Sequence, residues 1–413
     1  MPETQMDVIV IGAGPAGLTA AREGALRNLS VLLLDKMPRM ALKLGITGKG
    51  RCNVCNNVDA RDFVAQLCHG NKFLLSSVSR YGAGDIMSFF EEGGVELVVE
   101  RGGRVFPKSS QARDVVDALT SAAKRAGCRF QHATAESVCC EDSRVTGVML
   151  EGGHHVPCRA VIVATGGLSY PATGSTGDGY RMAQCLGHTI RPTYPSLVPL
   201  VCDDGICPKL EGLSLRNVGL HVSRLGQTIW HGTGEMLFTS DGVSGPLVLS
   251  ASTRIMGDCT GLRLGIDLKP ALDAGTLDTR IMRDFAASPA RHLQNSLKGL
   301  LPSRMIPVVL ESLQMDPHRM AGSVTVQERR RIATLLKDLP LNVVATRPME
   351  EAVVTGGGIA LDEIDPRTMQ SKIISGLHFA GEILDADGPT GGYNLGIAFA
   401  TGHAAGCCVL EDR

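Results

Sequence analysis

Residues 7–17 read DVIVIGAGPAG, and this stretch indicates the fold of the chain. A run of β-favouring apolar residues leads directly into three glycines that match the G-x-G-x-x-G fingerprint at the start of a helix. In that motif Gly12 permits a tight turn, and Gly14 lets the backbone approach a pyrophosphate. Gly17 lets the helix pack closely against the strand. The stretch therefore predicts a nucleotide-binding strand–turn–helix.

A helix and a second strand complete a βαβ unit. Residues 16–27 carry apolar side chains at helical spacing, and residues 31–34 form a second buried run that ends at Asp35. Asp35 lies 18 residues past Gly17, where an acidic side chain can accept hydrogen bonds from ribose hydroxyls. The pyrophosphate is expected at the helix N-terminus, where unpaired N–H groups favour negative charge. The contacts predicted in this unit are Gly12, Gly14, Pro15, Ala16, Gly17, Asp35 and Lys36.

Two later glycine-rich segments predict a long cofactor with a second anionic region. One segment ends the buried strand of residues 160–164, and the other, residues 387–394, opens the last predicted helix at 391–410. A second helix N-terminus preceded by a glycine loop suits a group that gains negative charge, such as a flavin ring on reduction. The predicted contacts are Ala164, Thr165, Gly166, Gly381, Glu382, Gly391, Gly392, Tyr393, Asn394 and Leu395.

The chain is expected to be α/β with an insertion. Residues 129–158 have the pattern of a small antiparallel meander, in which Val138 is a further candidate contact. From about residue 191 the alternating strand and helix pattern gives way to short strands with glycine turns and then short helices. The alternating pattern returns only near residue 349. We therefore predict a discontinuous Rossmann-type cofactor domain, residues 1–190 and 346–413. Residues 191–345 form an inserted domain, β-rich at 191–270 and helical at 271–340.

Several motifs resemble one family in particular. The fingerprint, the strand-end Thr-Gly-Gly and the C-terminal Gly-Glu are similar to the glutathione-reductase type of FAD fold. More narrowly, the chain resembles the BaiN/YhiN-type flavoproteins, which include bile-acid-operon and aminoacetone-oxidase-like members. This resemblance rests on residues 48–53 (GKGRCN), 103–107 (GRVFP), 170–179 (YPATGSTGDG), 234–239 (GEMLFT), 244–246 (SGP) and the stretch 351–406.

The resemblance implies noncovalent FAD and an inserted domain that covers the flavin. It also implies that the loop from Lys43 to Asn53 surrounds the ribityl and flavin part of the cofactor. Noncovalent binding has independent support, because no histidine occurs between Asp35 and Cys68 to take a covalent flavin. The candidate contacts of the loop are Lys43, Gly48, Gly50, Arg51, Cys52 and Asn53.

Composition argues against several other classes of protein. The chain has 41 basic and 42 acidic residues and no basic run, so a nucleic-acid partner is not expected. No apolar run approaches the length of a membrane span, and we expect no membrane partner. The 13 cysteines in a chain without a recognisable leader favour reduced thiols and a cytoplasmic location. No Cys/His set has metal-ligand spacing, so no metal is predicted, and the oligomeric state is left open.

The pair Cys52 and Cys55 forms a C-x-x-C, which in a flavoprotein raises the possibility of a redox-active disulfide. The motif lacks the strand-to-helix context of such pairs. We therefore favour a structural interpretation, in which Cys52 belongs to the flavin loop and Cys55 is a chance neighbour.

The sequence thus predicts an FAD-dependent oxidoreductase that transfers hydride between flavin N5 and a small organic substrate. No second nucleotide fingerprint is found. The best candidate, Gly356-Gly357-Gly358, is interpreted as a flavin-side loop. NAD(P)H is therefore expected to bind only transiently. By resemblance, reduction of a C=C bond in an unsaturated carbonyl or steroid-like compound is the leading reaction. The alternatives are amine oxidation with oxygen and a nonenzymatic redox sensor. A third alternative is an RNA-modifying flavoprotein, which the near-zero net charge and the lack of a basic stripe argue against. The candidate catalytic residues are Arg51, Tyr170 and Tyr393.

Overall fold

The computed structural model describes residues 5–411. Its chain divides into two compact units. The split unit comprises the chain up to Ser196 and again from Met349, and the inserted unit comprises Leu197–Pro348. Both divisions lie a few residues after the predicted 190/191 and 345/346 boundaries. The first is later because residues 191–196 pair with a strand of the split unit.

Strands and helices occur throughout both units and are numbered in chain order. The strands are β1 (Met6–Ile11), β2 (Val31–Asp35), β3 (Cys55–Asn56), β4 (Leu97–Glu100), β5 (Arg104–Pro107), β6 (Arg129–His132), β7 (Ala135–Glu141), β8 (Arg144–Leu150), β9 (His154–Val163), β10 (Ile190–Ser196), β11 (Leu200–Cys202), β12 (Ser214–Arg224), β13 (Gln227–Phe238), β14 (Gly242–Ser244), β15 (Leu262–Asp267), β16 (Leu339–Thr346), β17 (Val354–Ile359) and β18 (Leu377–Phe379). The helices are α1 (Pro15–Leu26), α2 (Leu42–Ile46), α3 (Ala60–Gln66), α4 (Asn71–Arg80), α5 (Ala83–Glu92), α6 (Ala112–Arg125), α7 (Asp178–Cys185), α8 (Ile206–Leu210), α9 (Pro246–Ser252), α10 (Ala274–Ala286), α11 (Leu293–Ser296), α12 (Met305–Ser312), α13 (Val326–Lys337) and α14 (Tyr393–Cys408).

A parallel sheet forms the centre of the split unit. Its order is β6-β2-β1-β9, and β18 pairs with β9 on the far side. Residues 8–11 of β1 and 160–163 of β9 are all buried, as expected for strands covered on both faces. This architecture confirms the predicted α/β fold class.

The predicted meander at 129–158 is partly wrong. β6 belongs to the parallel sheet, where it pairs with β2, and only β7, β8 and the start of β9 are antiparallel. β9 is one long strand: residues 154–157 pair with β8, and residues 158–163 pair with β1. One strand therefore serves two pairing patterns, and the chain has no break at residue 158.

Helices α1 and α14 pack through their backbones. A Cβ on Gly402 would lie 2.3 Å from the Ala16 carbonyl oxygen, and a Cβ on Gly406 would lie 2.4 Å from that of Ala20. α14 is buried around most of its circumference, as expected of a helix without a polar face. The last helix of the chain is thereby fixed against the first.

The triple glycine at 356–358 lies inside strand β17, which pairs with β10, so its interpretation as a flavin-side loop is wrong. A Cβ at Gly356 would lie 2.3 Å from the Tyr194 ring, and one at Gly357 would lie 2.2 Å from the Pro192 carbonyl oxygen. Glycine is required at these positions by close packing between two strands.

The inserted unit has its own core and contains a closed barrel of order β11-β14-β13-β12-β15-β16. The sequence predicted strands and then helices, but the barrel closes only with β16, which follows the helices α10 to α13. Closure by a strand distant in sequence gives no local signal.

Candidate functional site

The carboxyl ends of four parallel strands bring the predicted residues to one edge of the sheet. Gly12 follows β1, Asp35 ends β2, Ala164 follows β9, and Gly381 lies two residues past β18. In open α/β sheets ligands bind at this edge, where the chain leaves neighbouring strands in opposite directions.

The glycine fingerprint has the packing that its spacing predicts. Gly12 has φ of 104°, and a Cβ there would lie 2.4 Å from the Ala164 carbonyl oxygen. A Cβ on Gly17 would lie 1.8 Å from the Gly12 carbonyl oxygen, so helix and turn are in backbone contact. Gly14 differs, because no atom lies within 4 Å of its Cβ position. The space beside Gly14 is available to a ligand.

The N-terminus of α1 has no side-chain cap. Pro15 occupies the first helical position and Ala16 follows it. Donors that a capping side chain would satisfy are therefore available to an anion, and the helix dipole adds positive potential.

Asp35 stabilises the fingerprint turn through hydrogen bonds. Its two carboxylate oxygens accept hydrogen bonds from the backbone N–H of Ala13 (2.7 Å) and of Met37 (2.7 Å). Burial raises the pKa of Asp35, although these two hydrogen bonds act in the opposite direction. The neighbouring Lys36 is engaged elsewhere, because its ammonium contacts Thr176 and Asp178.

The segment from Lys43 to Asn53 is more ordered than a plain loop. It contains α2 and a short 3-10 turn, Thr47–Gly50, with left-handed backbone at Gly48, Gly50 and Cys52. Arg51 lies past this turn, where it pairs with Glu100 at 2.5 Å and stacks on the Phe106 ring at 4.2 Å. The Arg51 guanidinium is thus held in one place.

A polar network joins this segment to the predicted Gly-Glu pair. The Lys43 ammonium donates to Ser169 Oγ and to a Glu382 oxygen, each at 2.7 Å. The other Glu382 oxygen accepts from Ser169 Oγ and from the Thr355 N–H, each at 3.0 Å. Lys43 also lies 5.9 Å from the centre of the Tyr170 ring. The sequence predicted Lys43 and Glu382 separately, and the fold makes them an ion pair.

Two polar atoms of predicted site residues are buried without a hydrogen-bond partner. They are Asn53 Oδ1 and Thr165 Oγ1. Buried polar groups are normally paired, so each such atom suits a hydrogen bond with a ligand. Gly166, next to Thr165, has φ of 74°.

The N-terminus of α14 is the second predicted anion-binding feature. Gly391 and Gly392 have φ of 115° and 97°, and α14 has no side-chain cap. A Cβ on Gly392 would lie 2.3 Å from the Cys55 carbonyl carbon, and Asn56 Nδ2 donates to the Gly391 carbonyl at 2.9 Å. The segment that follows Asn53 therefore supports this turn.

Tyr393 is the first residue of α14, and its ring packs on Phe63 at 5.1 Å. Burial raises the pKa of its phenol. Asn394 closes the turn, since its side chain exchanges hydrogen bonds with the Gly388 backbone at 2.8 and 3.0 Å. The next residue, Leu395, is partly buried against the core.

Val138 and Tyr170 lie in different surroundings. Val138 is buried in β7, opposite Val148, on the antiparallel part of the sheet. Tyr170 adopts a left-handed backbone (φ 54°) just before a short 3-10 turn, Pro171–Thr173.

A further cluster was missed by sequence reasoning. The Tyr194 hydroxyl lies 3.3 Å from His69 Nδ1, which lies 3.4 Å from an oxygen of the buried Asp387. Ser196 Oγ donates to the other Asp387 oxygen. Asp387 stands in the recognised glycine-rich segment, but His69 and Tyr194 carry no local signal that links them to it.

Both thiols of the C-x-x-C are buried. Burial raises the pKa of Cys52 to about 11 and that of Cys55 to about 12. Reactive thiols have lowered pKa values, so both groups have the properties of structural residues.

A family model described as "HI0933-like protein Rossmann domain" matches residues 6–408. The chain belongs to this HI0933-like family. A 3-dehydro-bile acid delta(4,6)-reductase of Clostridium scindens is 30% identical to the chain over 97% of it and 98% of the relative. A ribosomal RNA dihydrouridine synthase of Escherichia coli is 29% identical over 97% of each chain. The predicted resemblance to the bile-acid-operon flavoproteins is confirmed, and the chain is an FAD-dependent oxidoreductase.

Solved structures agree in fold with this family. A 3-ketosteroid-delta4-(5alpha)-dehydrogenase of Rhodococcus jostii has a TM-score of 0.54 with 16% identity, and covers 99% of this chain and 97% of its own. A 3-ketosteroid delta1-dehydrogenase of Sterolibacterium denitrificans has a TM-score of 0.51 with 15% identity, and covers 97% and 98%. Within residues 5–411, no helix combines the length and apolarity needed to cross a bilayer.

Proposed function

We propose that this chain is an FAD-dependent reductase that delivers hydride to a C=C bond conjugated to a carbonyl group, with NAD(P)H as a transient electron donor. The proposal rests on the similarity over nearly the full length to the relative from Clostridium scindens, a 3-dehydro-bile acid delta(4,6)-reductase. Its substrate class combines a ketone with ring double bonds.

The residues at the sheet edge fit FAD. The open space beside Gly14 and the uncapped start of α1 suit a pyrophosphate, with Asp35 near the ribose. The partnerless Asn53 Oδ1 and Thr165 Oγ1 suit hydrogen bonds to the same ligand. These groups, with Gly166, Gly381 and the segment from Lys43 to Asn53, form the proposed cofactor cradle.

Bound FAD supplies hydride transfer, and the protein supplies orientation and charge stabilisation. The N–H groups from Gly392 to Leu395 lie at an uncapped helix N-terminus and would stabilise negative charge placed beside them. The ion pair between Lys43 and Glu382 links the segment from Lys43 to Asn53 to the Gly-Glu pair that follows β18.

Reduction of a C=C bond also needs a proton. Tyr393 retains its phenolic proton at neutral pH because burial raises its pKa, so it can act as a donor. Tyr170 is the second donor candidate. The Arg51 guanidinium carries only hydrogen-bond donors, so we assign it to binding a carbonyl or other electron-rich group.

A second substrate class is favoured by relatives named as ribosomal RNA dihydrouridine synthases. Forming dihydrouridine saturates the C5=C6 bond of uracil, which is conjugated to the C4 carbonyl, so the chemistry is the same. The inserted unit also carries 17 basic and 14 acidic residues, whereas the rest of the chain carries 24 and 28. The balanced overall charge remains the argument against RNA.

The test begins with the FAD-loaded protein mixed anaerobically with NADH and then with NADPH, while the visible flavin band is followed. Rapid bleaching is expected with at least one nicotinamide. No bleaching would contradict the proposed donor and direct attention to amines with oxygen.

The reduced protein is then mixed, still without oxygen, with a 3-keto-4-ene steroid or with a uridine-containing ribosomal RNA transcript. Return of the flavin band identifies the acceptor, and the product is checked by mass for the gain of two hydrogens. If neither compound reoxidises the flavin, but oxygen with an amine substrate gives turnover, the protein is an oxidase. If no donor or acceptor changes the redox state of the flavin at a useful rate, the result favours a nonenzymatic redox sensor.

A further inference from the structure

Three potential metal ligands meet where α1 packs on α14, remote from the helix N-termini. Glu23 lies on α1, and His403 and Cys407 lie one turn apart on α14. One ligand atom from each residue lies within 4.8 Å of the others. Residues at i and i+4 share one face of a helix, so His403 and Cys407 both face Glu23.

The distances between these atoms suit a tetrahedral ion. Cys407 Sγ lies 3.5 Å from His403 Nε2 and 3.9 Å from Glu23 Oε2. A tetrahedral zinc ion, with bonds of about 2.3 Å to sulfur and about 2.0–2.2 Å to nitrogen or oxygen, places such pairs about 3.5–3.7 Å apart. Small side-chain movements bring the three groups to that spacing.

The surroundings hold the groups in place. The Tyr81 ring stacks on the His403 imidazole at 4.3 Å and 11°, which leaves the ring nitrogens free of that contact. Arg22 pairs with Glu23 Oε1, so Oε2 is the oxygen directed at the thiol. Glu23 is only 9% exposed, and its carboxylate therefore gains from a second positive partner.

We propose that Glu23, His403 and Cys407 form a zinc site that ties α1 to α14. The mixed sulfur, nitrogen and oxygen set matches the preference of Zn²⁺, and water completes the tetrahedron. On binding, the Cys407 thiol loses one proton to solvent and the metal–sulfur bond forms without redox change. The sequence analysis predicted no metal because it overlooked the i, i+4 pair of His403 and Cys407, and the third group, Glu23, lies 380 residues from His403.

The proposal is independent of the reaction, since the three residues lie outside the proposed cradle. The expected consequence is structural: α1 begins at that cradle and packs on α14, so a metal between the two helices would fix their relative register. Bound zinc is therefore expected to raise the melting temperature of the FAD-loaded protein.

The first test uses Co²⁺ as a spectroscopic probe on FAD-loaded protein freed of metal with a chelator. One cobalt per chain is expected, with tetrahedral d–d bands to the red of the flavin absorption. X-ray absorption at the zinc edge of wild-type protein should give one sulfur at about 2.3 Å with light atoms in the other positions. Two or more sulfurs, or none, would overturn the assignment.

Variants locate the metal. Cys407→Ser and His403→Gln are expected to weaken zinc binding by at least about tenfold, in competition with a chromophoric chelator. Cys408→Ala is the matched control, because its thiol lies next along the chain and contacts the Arg367 carbonyl instead, and it should bind zinc as the wild type does. Equal binding by wild type and both ligand variants, each retaining flavin, would sink the proposal.

Discussion

The two helix N-termini predicted to bind the cofactor, those of α1 and α14, are built in different ways. The turn before α1 is set by residues within one βαβ unit and by the neighbouring strand end at Ala164. The turn before α14 is supported by Cys55 and Asn56, more than 330 residues earlier in the chain. The first can therefore be recognised from a short motif, whereas the second depends on tertiary contacts.

The two turns also differ in rigidity. Gly12 is confined between β1 and β9 at the centre of the sheet, where backbone atoms cannot move without disturbing the core. Gly392 contacts β3, which has two residues and, among the described strands, pairs only with β5. We expect damage at the first turn to be more severe, and substitutions at the two turns test that difference.

The largest effect is expected from Gly12→Ala. The substitution combines left-handed backbone with a contact of 2.4 Å to a carbonyl oxygen, a cost of about 3–4 kcal/mol. FAD affinity should fall by about 10²–10³-fold, measured by fluorescence titration of the deflavinated protein.

Gly14→Ala separates strain from ligand contact at the same turn. Nothing within 4 Å opposes its Cβ, so the apoprotein should melt as the wild type does. A loss of FAD affinity in this variant would indicate that bound FAD occupies the space beside Gly14. Unchanged affinity would contradict a pyrophosphate at this position.

Tyr393→Phe tests whether the start of α14 takes part in the chemistry. FAD content should be retained, because the Phe63 contact involves the ring and not the hydroxyl. Turnover should slow by about 10²-fold if the phenol is the proton donor. The rate of anaerobic flavin reduction by NAD(P)H serves as the control and should not change. Unchanged turnover removes Tyr393 from the catalytic residues.

Gly392→Ala is the counterpart of Gly12→Ala. Its φ of 97° and the 2.3 Å approach to Cys55 predict strain, but the short β3 can yield. We expect about a tenfold loss of FAD affinity, corresponding to about 1.4 kcal/mol. Gly84→Ala, in a helix with open space at its Cβ, should leave binding unchanged. A loss as large as that of Gly12→Ala would remove the proposed difference in rigidity.

Asp35→Asn should have a smaller effect. The amide can accept only one of the two backbone hydrogen bonds, so the turn loses about 1 kcal/mol and FAD affinity falls about fivefold. Isothermal titration at neutral pH measures the change. No loss would mean that Asp35 contributes neither to the turn nor to the ribose.

The smallest effect concerns the thiols beside the second turn. With a pKa of about 11, Cys52 is thiolate in only about one molecule in 10⁴ at pH 7. Alkylation of Cys52 and Cys55 in the native protein should be far slower than that of the exposed Cys185. Mass mapping of labelled peptides measures this. Fast labelling, or a Cys52–Cys55 disulfide, would restore the redox interpretation.

Sequence alone was sufficient where structure is local. The fingerprint, Asp35 and the ends of α1 and α14 follow from period and glycine spacing, and the family resemblance follows from the same motifs. The triple glycine at 356–358 was predicted to be a loop, but it lies in a strand. Close packing between strands requires glycine just as a tight loop does, so the pattern alone does not distinguish the two. Barrel closure by β16 and the cluster of His69, Tyr194 and Asp387 depend on pairings between distant segments, which no local pattern reveals.

The split unit also has a consequence for synthesis. Strand β18 and helix α14 come from residues 377–408, so the ribosome must pass residue 408 before the parallel sheet and the glycine contacts between α1 and α14 can be completed. The inserted unit, which has its own core, is available to fold earlier. Until α14 is made, the small-residue surface of α1 that it covers has no partner from α14.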